Sequence, residues 1–173
     1  MKNALRCRPD LLGFLGAVVV SATSACGGAS AGGASSPASQ ASSGESAAES
    51  CLAGADAKHT RKPSEPDRVS VKHVLVKYAG ARNAPATVTR TREQACLRAA
   101  EALAKLKEGT SFADVVAAYS DESGAATREG SIGAIERGDV APAFADAAFE
   151  LKVKEVSDVV ETPFGFHLIL RVE

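Results

Sequence analysis

Two of the three histidines in this chain stand in its most strand-like segments. His73 lies in VSVKHVLVKY (69–78) and His167 in TPFGFHLIL (162–170), each among valine, leucine, isoleucine or phenylalanine. A neutral imidazole donates from one ring nitrogen and accepts at the other, and it can exchange a proton near neutral pH. Such residues suit acid–base work or a buried polar network, and the residue types alone leave both readings open. The third histidine, His59, sits in a polar stretch without an evident partner. Cysteine and histidine never approach CxxC or HxxxH spacing, so no metal site is expected. GASAG (28–32) matches the GxSxG nucleophile elbow formally, but no strand and helix flank it, so it is read as compositional.

The histidines need elements to position them. In the first segment Val71, His73 and Leu75 alternate onto one face, the period of a strand. A polar loop, AGARNAPATV, leads to Thr91 and Gln94, spaced as a capping box. The helix opened there repeats Ala95, Ala99, Ala102/Leu103 and Leu106 until Gly109 ends it. Ser111 caps a shorter helix, FADVVAAY, which stops at SDESG. SIGAI (131–135) reads as a short strand, and Pro142 opens a helix, PAFADAAFEL. Lys154 to Val160 reads as a turn and short strand, and FGFHLILRV as the last strand. The order β, α, α, β, α, β, β has too few helices for a βαβ series and favours an antiparallel α+β sheet.

The chain before Val69 reads differently. Lys2, Arg6 and Arg8 precede the apolar run LLGFLGAVVVSA (11–22), then small residues, then Cys26. That run is too short for a bilayer, which takes about 20 residues, but suits an export signal over residues 1–25. A cysteine after small residues resembles the lipobox of bacterial lipoproteins, so Cys26 is expected to carry lipid and anchor the chain to a membrane of the cell envelope. Thr23 stands where that box usually has leucine, so a plain signal leaving a soluble periplasmic or secreted protein is the alternative. Residues 26–68 are rich in Gly, Ala and Ser and read as a flexible tether, with an end-to-end distance of roughly 35 Å for such a coil. Cys51 and Cys96 then remain, either bridged in an oxidising compartment or as free thiols. Positive and negative charge nearly balance, at 20 Lys+Arg against 21 Asp+Glu, and there is no tryptophan, which argues against nucleic acid as a partner.

The stretches VKHVLVK, YSDESG, GSIGAIERGDVAPAFADAAFEL and TPFGFHLILRVE, in this order, resemble the parvulin family of peptidyl-prolyl cis/trans isomerases. The resemblance covers Val69 to Glu173. It implies a parvulin-like α+β fold, a small antiparallel four-stranded sheet surrounded by three to four helices, working as a monomer without cofactor on proline-containing polypeptides. It also puts the two histidine-bearing strands side by side, with His73 and His167 in contact and Thr162 completing their network. Ile132, Val140, Ala141 and Phe144 would form the proline cup; without the resemblance they would pass as ordinary core. Glu122 follows SerAsp, where the family usually has cysteine or an acidic residue, and reads as a site carboxylate or as part of a solvated loop. The stretch ARNAP…TRTREQA resembles the members that act on phospho-Ser/Thr-Pro bonds, which makes Lys77 and Arg82 candidate phosphate ligands. Asn83 replaces one basic neighbour expected there, and the loop tryptophan of those members has no counterpart. A chaperone that binds proline-containing segments without catalysis, or an envelope scaffold, would be the competing functions.

Overall fold

The computed structural model describes residues 38–59, 61 and 63–173. The signal segment, Cys26 and GASAG lie outside the described residues. Four strands, β1 (Val69–Val76), β2 (Ser131–Ile135), β3 (Val160–Thr162) and β4 (Gly165–Arg171), form one antiparallel sheet in the order β2-β1-β4-β3. Helices α1 (Ala38–Ala55), α2 (Arg92–Lys107), α3 (Phe112–Tyr119) and α4 (Pro142–Glu150) flank it. The α+β class and the four-stranded antiparallel sheet are as expected.

Register divides the sheet into two faces. Leu75 stands opposite His167 and His73 opposite Ile169, while Val160 faces His167 from the other side. Paired residues of an antiparallel ladder point the same way, so His73, Leu75, Val160, Thr162, His167 and Ile169 share one face. Val74, Val76, Phe166 and Leu168 take the other, where Cys96, Ala99, Val115 and Val116 of α2 and α3 cover them completely. On the histidine face α4 packs Phe144, Ala148 and Phe149 against Val69, Val71, Val160 and Ile169.

The helix starts obey local rules. Thr91 accepts from the Gln94 N–H while Gln94 caps the Thr91 N–H, and Ser111 accepts from Asp114 N–H. Pro142 occupies the first turn of α4, where its missing donor costs nothing.

The N-terminal tether needs correction. Residues 38–55 form a helix, and Cys51 is bonded to Cys96 of α2, with 6.0 Å between their Cα atoms. Ala48 and Ala55 are buried, and Arg92 at the start of α2 pairs with Asp56. The small side chains of Ala48 and Ala55 let α1 lie close on α2, so tertiary contact supplies the burial that this composition lacks by itself. The segment leading to β1 is also bound down: His59 Nδ1 lies 2.8 Å from Glu150, and Arg137 pairs with both Glu65 and Asp146. No helix among the described residues is long and apolar enough to cross a membrane.

Candidate active site

The site forms where β1 and β4 expose alternate residues beyond the end of α4. His73 Nδ1 lies 3.3 Å from His167 Nδ1, with the rings stacked at a centroid distance of 5.5 Å. His167 Nε2 is 2.8 Å from Thr162 Oγ1, and that oxygen also accepts the Phe164 N–H. At the other end His73 Nε2 is 2.8 Å from Glu122 Oε2, which Arg128 reaches at 2.6 Å. Both histidines and Thr162 are about 95% buried.

One set of protons satisfies the whole row. Phe164 donates to Thr162, Thr162 to His167 Nε2, His167 Nδ1–H to His73 Nδ1, and His73 Nε2–H to Glu122. Every ring nitrogen then has a partner. Burial, with the neighbouring His73 adding to it, pushes His167 down to about 3. The hydrogen bond from His73 is the main cause holding Glu122 down at about 2; burial opposes it and Arg128 assists. Glu122 is therefore a paired carboxylate at neutral pH.

Backbone packing sets this geometry. The loop from Ser120 to Gly130 runs against β1: Asp121 N–H donates to Leu75 O, and His73 N–H to Gly130 O at 2.8 Å. Gly130 adopts φ +75°, and a Cβ there would meet His73 O at 2.4 Å. Only glycine lets the loop approach closely enough to bring Glu122 to His73.

Above the histidines lies an apolar cleft of about 230 Å³. Ile132, Val140, Ala141 and Phe144 line it together with His73, Glu122, Thr162 and His167. Phe144 forms its base, set edge-on to both imidazoles at 5.7 and 5.2 Å. All eight residues expected at the centre thus converge. Three further wall residues, Leu75, Asp139 and Phe164, were missed, as was Arg128 behind Glu122. Leu75 was within reach of the strand alternation that singles out His73. For Arg128, six residues beyond Glu122, no local pattern signals the pairing.

Lys77 and Arg82 stand outside the lining. Lys77 Nζ donates to Asn83 O, and the Arg82 guanidinium lies 5.3 Å over the Phe164 ring, at the edge of the cleft. Neither has a carboxylate partner among the described residues, whereas neighbouring Arg90 is committed to Asp121. No group of side chains suited to holding a metal occurs among the described residues.

A β2-β1-β4-β3 sheet with paired histidines beneath an apolar cleft defines an α+β isomerase domain of the parvulin type. Residues 57–173 match the PPIC-type PPIASE domain, and the chain belongs to that family. The match begins before β1 and takes in the bound-down segment ahead of it. A putative peptidyl-prolyl cis-trans isomerase, dodo, of Drosophila melanogaster is 39% identical over 111 residues, covering 61% of this chain and 66% of that protein. The foldase protein PrsA of Halalkalibacterium halodurans is 39% identical over 72 residues, 42% of this chain and 22% of that one. Among solved structures, the peptidyl-prolyl isomerase ESS1 from Candida albicans superposes with a TM-score of 0.58 at 30% identity, covering 62% of this chain and 63% of that one. The chain spans less than two thirds of the length of each of these relatives.

Proposed function

We propose that the cleft catalyses cis/trans isomerisation of X–Pro bonds in exported polypeptides by a non-covalent, twisted-amide route. The single observation that carries this reading is the apolar cleft lined by Phe144, which stands edge-on to two imidazoles whose ring nitrogens all have hydrogen-bond partners. Rotation about a prolyl amide breaks no bond and needs no proton transferred. It is slow because resonance sets a barrier of about 18–20 kcal/mol. The planar amide spreads charge between nitrogen and oxygen, whereas the twisted amide loses that separation, so a pocket that excludes water favours the twisted form. A thousandfold acceleration requires only about 4 kcal/mol of such preference.

In this mechanism Ile132, Val140, Ala141 and Phe144 hold the proline ring. His73, His167 and Thr162 act as a wall of fixed tautomers, and Glu122 sets the direction of the row by accepting from His73. Lys77 and Arg82, on the loop after β1 with Arg82 over Phe164, would receive a phosphate or carboxylate on the residue before proline through charge-assisted hydrogen bonds. The Cys51–Cys96 disulfide supports an oxidising compartment. A lipid on Cys26 would then hold a monomeric domain at the cell envelope, close to the membrane because α1 begins only 12 residues on.

The deciding test follows cis/trans exchange by NMR in Ala-Pro, Glu-Pro, Ser-Pro and phospho-Ser-Pro peptides. Acceleration that falls at least tenfold in Phe144→Ala is the expected result. Binding without acceleration of any peptide would leave a chaperone instead. A phosphopeptide advantage lost in Lys77→Ala and Arg82→Ala assigns the phosphate role, and mass spectrometry of the membrane fraction reads the lipid on Cys26.

A further inference from the structure

Of the two carboxylates that line the cleft, Glu122 has an arginine partner and Asp139 does not, while several carboxylates on neighbouring elements are also paired with arginines. Asp121 pairs with Arg90, Glu122 with Arg128, Glu136 with Arg68, Asp146 with Arg137 and Glu161 with Arg92. Asp139 has no cationic partner among the described residues, yet it lines the cleft directly beside Val140 of the proline cup. Its side chain is exposed but held in place. Glu136 N–H donates to Asp139 Oδ2 at 2.8 Å, and Asp139 N–H returns a bond to Glu136 O at 3.1 Å. An anion already held by its own backbone gives up little rotamer freedom when a ligand arrives.

The lining residues themselves include two carboxylates, Glu122 and Asp139, and no lysine or arginine. Glu122 is already neutralised by Arg128 and occupied by His73. Asp139 therefore carries the uncompensated charge of the cleft, on the wall formed by the turn between β2 and α4. Lys77 and Arg82, which have no carboxylate partner among the described residues, stand outside the lining on the loop after β1, with Arg82 over Phe164 of the β3–β4 turn.

We infer that Asp139 is a specificity-determining residue that selects polypeptides carrying a lysine or arginine immediately after the isomerised proline, the residue before it being the one that faces Lys77 and Arg82. This inference rests on the isomerase reading of the cleft and adds a substrate class to it. The pair formed would be solvent-accessible, and such pairs are worth little individually. The preference for a lysine over a glutamate neighbour should thus be about threefold in kcat/KM, weakening as salt is added because the charges are screened.

The test compares kcat/KM, by NMR exchange, for matched peptides with Lys, Ala or Glu immediately after proline and immediately before it. Asp139→Asn keeps an oxygen for the Glu136 N–H while removing the charge. Asp139→Lys reverses the charge. The wild type should favour lysine over glutamate after proline, Asp139→Asn should bring that ratio close to one, Asp139→Lys should invert it, and a lysine preference found only before proline overturns the inference. Equal rates for Lys and Glu peptides in the wild type overturn the inference while leaving the isomerase reading intact. So does a ratio that survives Asp139→Asn. If no peptide is accelerated, the isomerase reading falls instead, and the peptide affinities from the same titrations still decide whether Asp139 selects the cation.

Discussion

The two faces of the sheet are built from the same two central strands, yet they solve opposite problems. Towards α1, α2 and α3, residues Val74, Val76, Phe166 and Leu168 meet only apolar side chains and have no contact with water. Towards α4, the apolar packing of Val69, Val71 and Ile169 gives way, within one turn of the pleat, to His73, Leu75, His167 and Thr162. Burying three polar side chains costs free energy unless each is bonded, and here each is. One face therefore holds the fold together, and the other uses part of the resulting stability to keep a cleft open.

Breaking the closed face should cost the most stability. Phe166→Ala removes a fully buried ring and should destabilise the fold by about 3–5 kcal/mol, read by denaturant unfolding. Cys51→Ser comes next. The bridge closes a 45-residue separation, and its loss should cost about 2–4 kcal/mol while isomerisation at low temperature is retained. A large loss of activity in Cys51→Ser with little change in melting would show that α1 supports the cleft directly.

The open face should respond to acid. An unfolded histidine takes up its proton near its ordinary value of 6.5, whereas His167 in the fold stays neutral down to about 3. Between those values the unfolded chain binds one proton more, so stability falls as pH falls, by up to ~1.4 kcal/mol per pH unit. Glu122, ordinarily at 4.5 and held at about 2, adds to the loss below 4.5. His167→Leu should flatten the upper part of this decline. At neutral pH that variant should lose about 1–3 kcal/mol, because Thr162 and His73 are left without their partner. A decline between pH 6.5 and 4.5 that persists unchanged in His167→Leu would show another group to be responsible.

Phe144→Ala sharpens the contrast most and disturbs stability least among the aromatic deletions. Its ring borders the cleft on one side, so truncation widens an existing space instead of opening a new cavity, and melting should drop less than in Phe166→Ala, while isomerisation falls at least tenfold, equivalent to about 1.4 kcal/mol. If the two phenylalanines proved equivalent in both assays, the division of labour between the faces would be lost.

Much of this was legible in the chain itself. The alternation of Val71, His73 and Leu75, the caps at Thr91 and Ser111, and Pro142 at a helix start are written in residues a few positions apart. They obey steric and hydrogen-bonding rules that need no tertiary context. The motif order around Glu122, Phe144 and His167 was enough to assemble the cleft's centre. The helix Ala38–Ala55 is not legible as folded chain because its Ala, Ser and Gly offer little apolar surface to bury, and its bridge to Cys96 and its packing on α2 depend on residues far along the chain.

Sequence by itself thus determined which residues alternate, which cap and which carry polar groups into strands. Tertiary structure alone decided the pairings across distance. His73 meets His167 from 94 positions away, Glu122 is neutralised by Arg128 and oriented by His73, and Asp139 on the cleft wall has no cationic partner among the described residues. The reason is physical. Strand alternation and helix caps depend on neighbours along the chain, but the partner of a charge or a ring nitrogen depends on what folding brings within 3 Å, and one intervening loop can change it.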